Sequence, residues 1–224
     1  MNRSALRAAV VIAAVYGHFL IFAQFAFVEL LRIGGVSGAA EIVVLGTMAA
    51  AGVAGGFLAA WCGATPTGVR WALGVAGLSA ALAPWVGGMA GALGVAVATG
   101  GALGVATVSL AALLPGWCGV AWVGLGTGLG YGCCNVPWVF TQTPAGQAWV
   151  AVGFAGVGLL AVPQGVAWRG SGRVAVFSWW GALGLFAALV WLDSAAFFII
   201  QHVPDLRSGR KAKNPFNCVV VTFW

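Results

Sequence analysis

Few ionisable side chains stand inside the long apolar segments of this chain, and they are its first candidates for chemistry. Asp193 is the most informative of them, because the stretch around it is almost entirely apolar. A carboxylate at the centre of a membrane span costs roughly 2.5–3.5 kcal/mol on insertion scales. We therefore expect Asp193 to face a polar cavity or a partner, where it could bind a proton or a cation. The alternative is a structural hydrogen bond from Asp193 to Gln24 or Asn135.

Two further ionisable side chains lie in the first apolar segment. Glu29 follows His18 by eleven positions, which brings an α-helix almost back to the same face. Phe22 and Phe25 lie on that face as well. On that face His18 and Glu29 are candidates to line a substrate or ion path. Each also has a structural alternative: Glu29 can pair locally with Arg32, and His18 can be a buried, hydrogen-bonded residue.

Asn135 and Pro137 follow a glycine-rich segment and form a third candidate site. Pro137 has no amide hydrogen, so in a helix it frees the carbonyl four residues earlier, that of Cys133. A kinked helix that exposes this carbonyl could line a substrate path beside Asn135. A plain kink near the membrane interface is the alternative.

The overall composition places these residues in a membrane protein. Of the 224 residues, 62% are apolar and 6% are charged, whereas soluble domains carry about 25% charged residues. The cations lie at segment edges and in the tails, so we expect no binding of nucleic acid. Four acids and two histidines spread over the chain offer no cluster for catalysis. The five cysteines lack metal-ligand spacing, so we expect no enzymatic activity, no metal and no cofactor.

The apolar segments predict an all-α membrane protein, a polytopic bundle of about seven transmembrane helices. A span needs about 20 apolar residues, and its backbone groups must be bonded within the segment. The bundle occupies residues 1–207, and a short polar, irregular tail occupies residues 208–224. The predicted spans are 8–31, 42–61, 71–88, 93–114, 118–139, 147–164 and 178–202.

Glycine stripes predict how these helices pack. Gly124, Gly128 and Gly132 recur at every fourth residue and share one face of the fifth span. Helices in lipid associate through close backbone approach, which glycine permits. We therefore expect this stripe to be a packing surface. The second and fourth spans carry similar pairs, Gly52 with Gly56 and Gly100 with Gly104.

The distribution of cations predicts an orientation. With a cytoplasmic N-terminus, Arg32 is the one arginine in the outside loops between the first and last spans, as the excess of positive charge in cytoplasmic loops requires. We expect a multi-pass protein of the cell (inner) membrane with its N-terminus in the cytoplasm and the lipid bilayer as its first partner. The inside loops and N-terminus then hold Arg3, Arg7, Arg70, Arg169 and Arg173.

The first and seventh spans resemble each other when the chain is shifted by six spans. Residues 19–25, FLIFAQF, align with residues 191–197, WLDSAAF, and secondary transporters are commonly built from repeated halves. Over residues 8–206 the chain resembles the first half of a major facilitator superfamily transporter with the opening helix of the second half. The glycine- and proline-punctuated pair of helices around residues 124–160 resembles the same family.

The resemblance implies movement of a small solute across the membrane, and proton or ion coupling is a common mechanism in that family. The first and seventh helices of the family face a central cavity, so Gln24 and Asp193 would line the path. The family has about twelve spans, so a chain with seven would need a second half-transporter chain or an oligomer. The alternative is a non-transporting structural or assembly subunit, in which the glycine stripes serve association.

Overall fold

The structure is a computed structural model that describes residues 3–164. The regular elements of these residues are all helical. The seventh predicted span at 178–202, with Asp193, and the tail at 208–224 lie outside the described residues. In chain order the helices are α1 (Arg3–His18), a π-helical segment (Phe19–Ala26), α2 (Phe27–Ile33), α3 (Ala39–Cys62), α4 (Pro66–Leu82), a 3₁₀ turn (Ala83–Trp85), α5 (Gly88–Trp117), α6 (Val120–Cys134), α7 (Pro137–Thr141) and α8 (Pro144–Ala161).

Four of the predicted spans correspond to helices that are long and apolar enough to cross a bilayer. α1, the π-helical segment and α2 continue into one another, and we call them together the first long helix. By length and composition the chain is therefore a helical membrane protein. The four are Arg3–Ile33, Ala39–Cys62, Gly88–Trp117 and Pro144–Ala161. At 17 and 15 residues, α4 and α6 are shorter, so a count of seven spans is not confirmed.

Prolines lie at or near several helix ends, and the predicted ends of the fourth and fifth spans differ from the structure at Pro115 and Pro137. Pro137 lies at the start of α7 and follows an extended Val136. The helix of the predicted fifth span therefore ends at Cys134 and does not continue through a kink to residue 139. Pro115 lies inside α5, which runs on to Trp117. The first position of a helix tolerates proline because its amide has no helical partner there.

Two helices begin with the same Thr-Pro-x-Gly pattern. The Thr65 Oγ1 accepts a hydrogen bond from the Gly68 amide at 3.0 Å, and the Thr143 Oγ1 accepts one from the Gly146 amide at 3.1 Å. Such caps satisfy amides that the first helical turn leaves unpaired. The pattern therefore fixes the starts of α4 and α8.

The glycine pairs predicted to pack do so between α3 and α5, which share the most extensive helix contact among the described residues. A methyl group on Gly100 would overlap the carbonyl oxygen of Met48, and one on Gly104 would overlap that of Gly52. Gly56 lies against the Val108 side chain. The two backbones approach so closely that only glycine fits.

On α6 the close approach is made by a different glycine stripe from the one predicted. A Cβ on Gly126 would lie 2.6 Å from the Ala9 carbonyl oxygen, and one on Gly130 would lie 2.8 Å from the Tyr16 Cβ. These two glycines hold α6 against α1. The predicted stripe has open space around each member within the described part of the chain: Gly124, Gly128 and Gly132.

The helices pack as two equivalent sets of three. The first set is the first long helix, α3 and α4, and the second is α5, α6 and α8. α3 of the first set packs on α5, and α6 of the second set packs on the first long helix in the corresponding way. Likewise, α4 packs on α5 and α8 packs on the first long helix. α4 and α8 also contact each other. Exchanging the two sets therefore reproduces the same packing.

A buried polar pair joins α4 to α5. The Ser79 Oγ donates to the Ala76 carbonyl oxygen at 2.9 Å, so the Thr99 hydroxyl, also at 2.9 Å, must donate to the Ser79 Oγ. Both side chains are buried. Buried hydroxyls need such partners because an unpaired polar group in an apolar interior is costly.

Candidate functional site

The first long helix changes its hydrogen-bond pattern near its centre. At the end of the π-helical segment the Phe27 amide bonds to the Phe22 carbonyl oxygen, five residues back, where an α-helix would reach back four. Such wide turns are rare and recur at functional sites. The segment Phe19–Ala26 is therefore a candidate for a functional site.

His18 lies immediately before this segment, equally far in sequence from Arg3 and Ile33. Its side chain is completely buried, and its Nδ1 lies 3.1 Å from the Ala151 carbonyl oxygen of α8. A carbonyl oxygen only accepts, so Nδ1 carries the proton and donates. Nε2 is then a buried acceptor with no partner among the described residues. The geometry therefore shows His18 as a buried, hydrogen-bonded residue, which is its structural alternative.

Aromatic side chains form a seam between the first long helix and the α6–α7 region. The rings of Tyr16 and Tyr131 lie 5.9 Å apart, and those of Phe25 and Phe140 meet edge to face at 5.5 Å. Gln24, next to Phe25 in the chain, is half-buried. We call the four aromatic residues Tyr16, Phe25, Tyr131 and Phe140 the aromatic face. Tyr16 is 39% exposed and Tyr131 is 41% exposed, so the described helices leave this face partly open.

Glu29 does not share the face of His18. Each π-helical residue turns the helix by less than the 100° of an α-helical residue, so the eight residues of the segment rotate Glu29 away. Glu29 instead accepts a hydrogen bond from Arg32 at 2.9 Å, and Arg32 also reaches Glu41 at 3.3 Å. The local ion pair considered from the sequence is therefore present, and Glu41 extends it to α3.

Asn135 is exposed, and its side chain bonds to the helix that it ends. Its Nδ2 donates to the Tyr131 carbonyl oxygen at 2.8 Å, and its backbone amide bonds to the same oxygen at 3.1 Å. It therefore caps the end of α6. Of the predicted path residues within residues 3–164, only His18 and Gln24 lie at or beside the π-helical segment.

The aromatic pairs were missed from the sequence. The chain has two tyrosines, and the fold stacks one on the other across 115 positions of sequence. A tyrosine in the middle of an apolar segment was the available signal, because tyrosine ordinarily prefers the membrane interface. The Ser79–Thr99 pair was missed in the same way.

No group of three or more His, Cys, Asp or Glu side chains in residues 3–164 is arranged to hold a metal ion. No family model, curated protein or solved structure matches the chain.

Proposed function

We propose that this chain is a multi-pass membrane protein of about seven spans that moves a small solute along the aromatic face. α4 and α6 complete the described spans in this proposal, and the N-terminus lies in the cytoplasm of a cell with an inner membrane. Proton or ion coupling through Asp193 belongs to the proposal, as does a second half-transporter chain or a second copy that closes the path.

The observation that carries the proposal is the exposed tyrosine pair at the centre of the first long helix. If that helix crosses the bilayer, Tyr16 lies about 3 Å from its midpoint, and Tyr131 stacks on it. Tyrosine hydroxyls are unfavourable against hydrocarbon and favour the interface. A polar, water-accessible path beside the pair would give the exposed Tyr16 side chain a favourable environment.

The outer surface of α3 shows what a lipid-facing helix looks like in the same molecule. Ile42, Val53 and Phe57 are 73%, 62% and 74% exposed. Purely apolar exposed side chains fit hydrocarbon. The contrast with the aromatic face supports two different environments for the two surfaces.

The packing of the helices also supports transport. Sets of three helices that repeat are a common construction in secondary transporters, and binding sites there lie near the bilayer midplane beside irregular helices. The equivalent sets and the π-helical segment fit this construction. They agree with the resemblance to the major facilitator superfamily.

Cysteine accessibility tests the path. In a background with all native cysteines replaced by alanine, Tyr16→Cys and Gln24→Cys are labelled by a charged, membrane-impermeant thiol reagent in right-side-out and in inverted vesicles. Only a hydrated thiolate reacts, so we expect labelling on the order of tenfold faster than for the control Val53→Cys. Alternating access requires labelling from both sides. Rates equal to that of Val53→Cys would show that the face meets lipid and would refute the path.

One observation favours the second candidate, a structural or assembly subunit. Gly124, Gly128 and Gly132 present an open stripe on α6, and such stripes bring membrane helices together. In that function the stripe binds a partner helix, and the tyrosine positions stay closed to the thiol reagent.

A further inference from the structure

We infer that the end of the bundle that carries Arg3, Arg7 and Arg70 binds the headgroup of an anionic phospholipid. The partner is a lipid of the bilayer that surrounds the helices. The inference does not depend on transport. It needs only a membrane protein, which the four long apolar helices indicate by length and composition.

Arg3 and Arg7 form an exposed pair of like charges on one helix. α1 is helical from Arg3 onward, so the two arginines are four residues apart and adjacent on its surface, with about 5–6 Å between their Cβ atoms. Like charges at this spacing destabilise a helix, and the helix dipole adds partial positive charge at the same end. An anion bound between the two guanidinium groups would offset both effects.

A hydrogen bond and a buried cluster bring Arg70 to the same end of the bundle. The Ser4 Oγ donates to the Trp117 carbonyl oxygen at 3.3 Å, which fixes the start of α1 to the end of α5. Trp117 shares a buried apolar cluster with Ala8 of α1 and Val69 of α4. Arg70 follows Val69 in the chain, so its positive charge lies at the same end as the arginine pair of α1.

The Arg70 guanidinium is held in place at this end. Its Nη2 donates to the carbonyl oxygen of Val162, at the end of α8, at 3.1 Å. A guanidinium has five N–H donors, and this bond uses one of them. Because a planar guanidinium can bind two phosphate oxygens at once, a fixed Arg70 is well suited to a lipid phosphate.

Two exposed tryptophans mark the level of the lipid headgroups at this end. Trp61, in the last turn of α3, is 91% exposed, and Trp71, next to Arg70 in the chain, is 73% exposed. Indole rings favour the boundary between hydrocarbon and headgroups, so the arginines lie near the depth of the lipid phosphates. Basic pockets between membrane helices at this depth bind anionic headgroups.

At the opposite end the positive charge is already matched within the protein. Arg32 bonds to Glu29 at 2.9 Å and to Glu41 at 3.3 Å, so this network is formally negative. Of the ten Lys and Arg residues and the four acids in the chain, the network takes one cation and two acids, which leaves nine cations to two acids. An anionic headgroup should therefore prefer the other end, and Arg32 is the internal control.

Competition between two lipids measures this preference. The full chain is purified in detergent and mixed with equal amounts of phosphatidylglycerol, which is anionic, and phosphatidylcholine, which is zwitterionic. Native mass spectrometry then counts the lipids bound to the folded protein. We expect bound phosphatidylglycerol to exceed phosphatidylcholine on the order of tenfold, and the excess to shrink as the salt concentration rises. Micelles give lipid access to both ends, so the orientation of a variant in the cell does not affect the measurement.

Variants assign the preference to the three arginines. Arg7→Gln should lower the phosphatidylglycerol excess about fivefold, as should Arg70→Gln, whereas Arg7→Lys keeps the charge and most of the excess. Arg32→Gln is the matched control and should leave the excess unchanged. Equal binding of the two lipids by the unmodified chain, no effect of either Arg7→Gln or Arg70→Gln, or an equal loss in Arg32→Gln would each overturn the inference.

Discussion

At the scale of single residues, the buried polar groups show how this protein places hydrogen bonds in an apolar interior. Ser79 and Thr99 satisfy each other in a directed chain that ends on the Ala76 carbonyl. His18 satisfies one nitrogen and leaves the other as an acceptor. The first arrangement is complete and serves stability, whereas the second leaves the Nε2 acceptor without a partner among residues 3–164, beside the π-helical segment.

Thr99→Val tests the first arrangement, because valine keeps the shape and removes the donor. We expect a loss of about 0.6–1.7 kcal/mol, the average and the maximum found for hydrogen bonds between membrane helices, measured by reversible unfolding in mixed micelles. Thr107→Val is the matched control, since the Thr107 hydroxyl is exposed and bonds within its own helix to Leu103. Equal losses for both variants would contradict a stabilising role for the pair between α4 and α5.

Residue identity alone predicted part of this site. Gln24 and His18 were found because polar side chains are rare in the first apolar segment. Tyr16 was not found, because its partner Tyr131 is distant in sequence and only the fold brings the rings together. Glu29 was placed on the wrong face because nothing in the letters FLIFAQFA marks a π-helical segment.

At the scale of elements, α6 shows why a glycine pattern predicts contact without predicting its side. The sequence GLGTGLGYG alternates glycine with larger residues, so glycines recur every fourth residue on two different faces. Gly126 and Gly130 face α1, and Gly124 and Gly128 face away from the described helices. Periodicity is the same for both stripes, and only the position of the neighbouring helix distinguishes them.

Alanine substitutions on the two stripes should have opposite effects. Gly126→Ala places a methyl group against the Ala9 backbone, so we expect a loss of about 1–3 kcal/mol from overpacking. Gly128→Ala meets open space within the described residues, and replacing a helical glycine there should leave stability unchanged or raise it by about 0.5–1 kcal/mol. Thermal unfolding of the purified protein in one detergent compares them. Destabilisation by Gly128→Ala in the monomer would show that its face is also occupied.

Glycine and proline between apolar runs located the loops more closely than the helix starts. The loop after the first long helix lies between the first and second predicted spans, but α4 begins at Pro66 and α8 at Pro144, before the predicted starts at residues 71 and 147. The fourth span was predicted to end at residue 114, just before Pro115, yet α5 continues to Trp117. Loss of one amide near the end of a helix removes little, so proline is tolerated there more readily than in the middle.

At the scale of the whole molecule, the number of spans within residues 3–164 depends on α4 and α6. α4 has 17 residues, which rise about 25 Å, and the 3₁₀ turn that follows adds about 6 Å. The sum is close to the roughly 30 Å thickness of the hydrocarbon core. α6 has 15 residues and rises only about 22 Å, so it needs α7 to complete a crossing.

Reporter fusions decide how many crossings lie within residues 3–164, and with that number the equivalence of the two sets of three helices. A reporter enzyme active only outside the cytoplasm is fused after residue 35, 63, 87, 119 or 142. If α4 and α6 both cross and the N-terminus is cytoplasmic, the fusions at 35, 87 and 142 should be active and those at 63 and 119 silent. Equal activity at 63 and 87 would show that α4 lies within one leaflet, and equal activity at 119 and 142 would show the same for α6. Either result would show that the two sets of three helices do not cross the membrane in equivalent ways, and would remove the support that the packing gives to transport.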